Sequence, residues 1–190
     1  MDMRALSPPG IAQLLVTVLI ALTLTSCAAS SRPAPAACTP ASLRVSAEYI
    51  QGGTQHAFYG LRFTNVSRTG CTLTGYARVS LVTAGNSSGH PVGSPRPLDM
   101  PSPGPMKTVT LAPGQRALAS LGVAETVMFT GHRCHPVAAH WLKVYPPHLR
   151  HARYLPTRVI TCSAPADQVL EISPVAQAGS AGWPGARSAS

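Results

Sequence analysis

Apolar and polar residues alternate with a period of two along the middle of this chain. The clearest run is 59–64, YGLRFT, in which every second residue is apolar. Similar runs rich in Val, Thr and Leu occupy 71–82, 107–111, 115–123, 140–145, 157–162 and 169–175. Clusters of Asn, Gly and Pro separate these runs, which is typical of short strands joined by turns. We therefore predict a single all-β domain, an immunoglobulin-like antiparallel β-sandwich.

Two further observations bear on this fold class. Only 11% of the residues are charged, while the chain has 19 Pro and 16 Gly, which argues against a helical bundle or a coiled coil. Cys134, Trp141 and Cys162 follow the order found in immunoglobulin domains, although Trp141 comes only seven residues after Cys134. Aromatic residues make up only 5% of the chain, so we do not expect an aromatic stacking platform.

The amino-terminal segment has the pattern of an export signal. An uncharged apolar stretch runs from Ile11 to Thr25, shorter than the roughly 20 residues of a membrane-spanning helix. It ends in Leu24-Thr25-Ser26-Cys27, which looks like a bacterial lipobox. We expect a signal peptide over 1–26, lipid attachment at Cys27 and a Pro/Ala/Ser tether over 27–37. Two acyl chains would hold the protein stably at the outer side of the cell membrane.

Four cysteines remain for the folded domain once Cys27 is assigned to the lipid. They are Cys38, Cys71, Cys134 and Cys162. An exported compartment permits disulfides, and four cysteines allow three pairings. We favour Cys38–Cys71 with Cys134–Cys162, because these pairs close the shortest loops that do not cross. The chain has no C-x-x-C, so a zinc-ribbon or thioredoxin-like site has little support.

Two segments fall outside the strand pattern. Residues 83–105 are rich in Pro, Gly and Ser, and we interpret them as a long, mobile loop. Residues 176–190 are interpreted as a disordered tail that follows the domain at 38–175.

Several short motifs occur in a characteristic order. They are LRFTN at 61–65, CTLTGY at 71–76, VTLAPG at 109–114, CHP at 134–136, LKVYPP at 142–147 and the final Cys162. Together they resemble the domain-of-unknown-function 4232 family of actinobacterial exported proteins and lipoproteins. The resemblance implies an extracytoplasmic β-sandwich with paired cysteines. It implies no activity and supplies no catalytic residues.

The carboxyl half contains a basic, histidine-rich stretch with no acidic residue between Val127 and Ala166. Its cations are candidates for binding anionic lipid or a cell-wall polymer: Arg133, Lys143, Arg150, Arg153 and Arg158. The alternative is a metal site with imidazole ligands from His132 with His135, or His148 with His151. The prolines at 136, 146 and 147 disfavour the helix that this spacing suits, and no carboxylate lies nearby in sequence.

These observations favour a non-enzymatic binding or structural module at the cell envelope, with a metal-binding protein as the alternative. The only acids of the exported part are Glu48, Asp99, Glu125, Asp167 and Glu171, and no motif brings a nucleophile and a base together. We expect no cofactor, no nucleic-acid partner and a monomer. Asn65 and Asn86 each begin an N-x-S sequence, and we interpret both as turn residues rather than glycosylation sites.

Overall fold

A computed structural model describes residues 33–53, 55–102, 105–126, 134–165 and 167–179. Within these residues the chain forms twelve strands. They are β1 (Leu43–Gly52), β2 (His56–Asn65), β3 (Cys71–Leu73), β4 (Arg78–Val82), β5 (Pro91–Val92), β6 (Leu98–Asp99), β7 (Val109–Leu111), β8 (Arg116–Ala124), β9 (Pro136–Tyr145), β10 (Arg153–Cys162), β11 (Leu170–Ile172) and β12 (Ala176–Gln177). None of the described residues belongs to a helix long and apolar enough to cross a membrane.

The strands form two large sheets and one small one. The larger sheet has the order β1-β2-β8-β11-β6, with β12 also paired to β8. The second sheet has the order β10-β9-β4-β5, and β3 pairs with β7 separately. All of these pairs are antiparallel except that between β6 and β11. In this arrangement β1 and β10 are each an edge strand of their sheet, with β6 and β5 at the opposite edges.

The inward faces of the two large sheets meet in one hydrophobic core. Leu61 and Phe63 of β2 are completely buried, as are Leu142 and Val144 of β9 in the other sheet. All four belong to a single cluster of contacting buried residues. Packing of two mainly antiparallel sheets face to face confirms the predicted all-β sandwich.

The turn predicted between 112 and 115 joins β7 to β8. The Gln115 amide donates to the Ala112 carbonyl at 3.0 Å, and Gly114 has a positive φ of 78°. Among the amino acids, only glycine adopts this conformation at little energetic cost. The turn sends β8 back through the centre of the larger sheet. Its predicted apolar row is fully buried: Ala117, Ala119, Leu121 and Val123.

Both favoured disulfides are present. Cys38 is bonded to Cys71, and Cys134 is bonded to Cys162. The second bond joins neighbouring strands of one sheet, because Cys162 pairs with Pro136 in the β9–β10 ladder. In immunoglobulin domains the bond instead joins the two sheets and packs against the tryptophan. The likeness to immunoglobulins therefore extends to the sandwich architecture and not to the disulfide.

Trp141 also differs from an immunoglobulin core tryptophan. It is half-buried, and its neighbour Leu142 faces the core. Its indole ring lies against Gly85, so closely that a Cβ atom on Gly85 would be 2.7 Å from two ring carbons. The loop after β4 thus folds over this side chain.

The structure contains strands that the sequence pattern did not predict. β1 was not predicted, although Leu43 and Val45 alternate with exposed residues on it. The run 71–82 is divided into β3 and β4, because Gly75 between them has a positive φ of 93°. The interval 83–105, predicted to be a mobile loop, contains β5 and β6. β12 extends pairing two residues into the segment predicted to be disordered from residue 176.

The amino-terminal predictions are only partly covered by the structure. The signal peptide at 1–26 and the lipid-attachment residue Cys27 lie outside the described residues. Residues 33–37 of the tether are exposed, and Ala37 forms an isolated bridge to Thr72.

Candidate functional site

The outer face of the second sheet presents cations and tyrosines side by side. Lys143 and Tyr145 on β9 alternate with Leu142 and Val144, whose side chains enter the core. Residues two apart on a strand share a face, so Lys143 and Tyr145 both point away from the core.

The ladder brings two more side chains onto this face. Lys143 is the register partner of Tyr154 on β10, and Tyr145 is the register partner of Arg78 on β4. Directly paired side chains on one face lie close enough to interact. We name this set of four, Arg78, Lys143, Tyr145 and Tyr154, the tyrosine–cation face.

Both cations lie over aromatic rings. The Arg78 guanidinium carbon is 4.6 Å from the centre of the Tyr145 ring. The Lys143 Nζ atom is 5.6 Å from the Tyr145 ring centre and 5.9 Å from that of Tyr154. Cations within about 6 Å of a ring centre are attracted by the negative face of the ring. The rings therefore hold both charged groups in place on the sheet surface.

The same tyrosines affect the protonation of Lys143. Its side-chain hydrogen bond with Tyr145 is the largest influence and raises the pKa of Lys143 above its ordinary value of 10.5. Partial desolvation acts in the opposite direction but is smaller, and Tyr154 adds to the increase. Lys143 is consequently a positive charge throughout the physiological pH range.

The connection between β9 and β10 borders this face. Arg78 donates from Nη2 to the Leu149 carbonyl at 3.3 Å, which ties β4 to the connection. Arg153 donates from Nη2 to the Pro40 carbonyl at 2.9 Å. Arg150, His148 and His151 are exposed on the same connection. Three of the predicted anion-binding residues, Lys143, Arg150 and Arg153, therefore come from one hairpin.

The other two predicted cations are not part of this group. Arg158 lies further along β10, beyond the register shift that begins at Pro156. It lines a hollow of about 450 Å³ together with His140. Arg133 lies outside the described residues, as does His132.

Acidic side chains do not neutralise the tyrosine–cation face. Among the described residues, the one ion pair joins Arg62 of β2 to Glu48 of β1, in the other sheet. In the same part of the chain, no three His, Cys, Asp or Glu side chains converge as metal ligands. His135, His148 and His151 are all exposed, and the proposed metal pairs stay a prediction from spacing.

Sequence reasoning missed the aromatic half of this face. The low aromatic content argued against an aromatic stacking platform and drew attention away from the tyrosines, yet two of the five meet here. The alternation in LKVY could have placed Lys143 and Tyr145 together on one side of a strand. Arg78 and Tyr154 could not be added, because their positions depend on the register between strands.

Comparison with known families gives one match, and comparison with curated proteins and with solved structures gives none. The match is to the domain of unknown function (DUF4232) and covers residues 38–176. These bounds contain both disulfides, the whole tyrosine–cation face and every strand except the last residue of β12. This chain belongs to the DUF4232 family.

Proposed function

We propose that this protein is a non-enzymatic binding module of the cell envelope, exported and lipid-anchored at Cys27. Its ligand is an anion that carries phosphodiester groups, and it binds at the tyrosine–cation face. Phosphodiesters occur both in lipid headgroups and in anionic wall polymers. In both sources the protein would contact the same negatively charged phosphate oxygens.

The observation that carries this proposal is the placement of Lys143 and Arg78 on tyrosine rings without an acidic partner among the described residues. A cation that is held over a ring loses less side-chain entropy when an anion binds it. The phenol hydroxyls of Tyr145 and Tyr154 can donate to the same oxygens. Arg150 on the neighbouring connection extends the positive surface.

The test compares two double variants that change the net charge equally. Lys143→Gln with Arg78→Gln removes the ring-bound cations, while Arg44→Gln with Lys107→Gln removes two exposed cations elsewhere. Each basic residue near an anionic surface contributes about 1 kcal/mol, so the first double variant should bind about 30-fold more weakly. The control double variant should bind nearly as well as the wild type. Equal weakening in both variants would show that only net charge matters.

Two probes distinguish the sources of the phosphodiester. Phosphatidylcholine vesicles with added phosphatidylglycerol represent the lipid, and soluble poly(glycerol phosphate) represents a wall polymer. Co-sedimentation and calorimetry, respectively, should show binding that weakens with added salt. Binding to neither probe, or binding that is insensitive to salt, would contradict the proposal.

The anchor is tested separately. Cys27→Ala should release the protein from the membrane fraction into the medium, because the thiol is the lipid-attachment point. If the Cys27→Ala protein remained in the membrane fraction, lipid anchoring would be contradicted. The outcome of the binding test would not depend on this result.

A further inference from the structure

The two sheets separate at one side of the sandwich and leave an open cleft of about 710 Å³. Its walls come from β1 and β2 of the larger sheet and from β10 of the second sheet. Along β1 the core-facing residues become steadily more accessible: Leu43 is 4% exposed, Val45 is 8% exposed and Tyr49 is 57% exposed. The cleft therefore continues the core outward, with its inner surface open to solvent.

The apolar wall of the cleft contains two tyrosines in contact. The rings of Tyr49 and Tyr59 meet edge to face, with centres 5.6 Å apart and planes at 73°. The Tyr49 hydroxyl lies over Gly52, where a Cβ atom would be only 2.9 Å away. Tyr59 is buried and Tyr49 is largely exposed, so Tyr59 supports a ring that solvent can reach.

The polar groups of the cleft have unused hydrogen-bonding capacity. Glu125 and Arg158 both line it, and neither side chain has a hydrogen bond or an ion pair with another described residue. Thr157 also lines the cleft, but its hydroxyl is itself buried and has no hydrogen-bond partner among the described residues. A buried polar group without a partner is uncommon and costs about 1–3 kcal/mol.

An added peptide strand does not fit this site well. Both edge strands beside the cleft have irregular registers, between Tyr49 and Gln51 on β1 and between Pro156 and Val159 on β10. Pro156 also lacks the amide hydrogen that a ladder needs. Bulges and proline are the usual devices that keep an edge strand from pairing.

The remaining chemistry matches a sugar ring. A saccharide has an apolar face of C–H groups, which is attracted to the negative face of an aromatic ring such as Tyr49. Its hydroxyls both donate and accept, so they suit a carboxylate acceptor and a guanidinium donor at once. The volume lies within the ordinary range for small-ligand pockets. We propose that the cleft between β1 and β10 binds a saccharide, at a site separate from the tyrosine–cation face.

The test uses the full chain in a detergent without a sugar headgroup. Binding is screened on an array of soluble glycans, and positive oligosaccharides are titrated by calorimetry at millimolar concentrations. We expect at least one neutral oligosaccharide to bind, and we expect Tyr49→Ala to weaken it by about tenfold. Glu125→Gln should also weaken binding, because the charged acceptor makes stronger hydrogen bonds than the amide.

Tyr154→Ala is the matched control, because it removes a tyrosine from the tyrosine–cation face and not from the cleft. It should leave glycan binding unchanged, and Tyr49→Ala should leave phosphodiester binding unchanged. Melting temperatures of both variants check that the fold is intact. The proposal would be overturned if no glycan bound, or if both tyrosine variants lost glycan binding equally. It would also be overturned if a zwitterionic dipeptide, titrated in parallel, bound and no glycan did.

Discussion

Replacement of the buried Asn65 by alanine should destabilise the domain strongly. Asn65 ends β2 and is completely buried. Its amide nitrogen donates to the Thr69 carbonyl at 2.8 Å and to the Leu111 carbonyl at 2.9 Å. Its side-chain oxygen accepts from the amide and the hydroxyl of Ser67, at 2.9 and 2.7 Å. One side chain thus joins β2, the following turn and β7.

The magnitude follows from these four bonds. Each hydrogen bond contributes about 1 kcal/mol net, and the buried Leu111 carbonyl would be left without this donor at an additional cost. Bonds within the turn can be replaced by water more easily than the bond to Leu111. We therefore expect Asn65→Ala to lower the free energy of unfolding by about 3 kcal/mol, which lowers the melting temperature by about 10 °C.

Asn86 supplies an internal control. It begins the second N-x-S sequence, and its side-chain oxygen accepts from the amide and hydroxyl of Ser88 in the same way. Asn86 is exposed, and its amide nitrogen has no partner among the described residues. Asn86→Ala should therefore cost only about 0.5 kcal/mol.

The assay is urea unfolding of both variants, monitored by circular dichroism. Both curves are analysed with the same dependence of the unfolding free energy on urea concentration. A difference of about 2 kcal/mol or more between the two alanine variants is expected. If the two variants were equally stable, burial and the bond to Leu111 would not be the source of the stability, and the reasoning would be refuted.

Three further predictions follow from the packing, the disulfides and the charge. Gly85→Val should displace Trp141 and shift its fluorescence, because the new Cβ atom would be 2.7 Å from the ring; an unchanged spectrum would contradict this contact. Cys134→Ala with Cys162→Ala should lower the free energy of unfolding by about 3.6 kcal/mol on the loop-entropy estimate for a separation of 28 residues, and urea unfolding without reductant measures this. Because the folded-state pKa of Lys143 is raised, its stabilising contribution is present below pH 10.5 and is lost as the pH rises through the folded value. The melting temperature of wild type should therefore fall more steeply than that of Lys143→Met above pH 10.5, and parallel curves would contradict the interaction.

The strongly periodic parts of the fold could be predicted from the sequence. The row at 59–64 alternates because one face of β2 enters the core, and burial selects that pattern directly. In β8 both faces are buried from Ala117 onward, but the completely buried row of Ala117, Ala119, Leu121 and Val123 is the apolar one. The turn at 112–115 was also predictable, because Pro113 and Gly114 each favour one required backbone conformation. The disulfide pairs that are present are those favoured as the shortest loops that do not cross.

The remaining elements depend on partners that are distant in the chain. Leu98 in β6 pairs with Glu171, and a strand of two residues carries no periodicity of its own. The Tyr76 hydroxyl donates to the Met100 carbonyl at 2.6 Å, which fixes part of the interval that composition suggested was mobile. The tyrosine–cation face was hidden for the same reason, because its four side chains come from three strands.

The Cys38–Cys71 bond has a mechanical consequence for the start of the domain. The Cys38 amide donates to the Thr72 carbonyl, and the Thr72 amide donates to the Ala36 carbonyl, both at 2.9 Å. Tension applied to the chain before residue 36 therefore passes across the disulfide into β3, before it reaches Leu43 at the start of β1. A free edge strand that is pulled from its end would otherwise open one hydrogen bond at a time. The covalent bond diverts that load, so the edge strand β1 is protected from being unzipped by force on the amino-terminal segment.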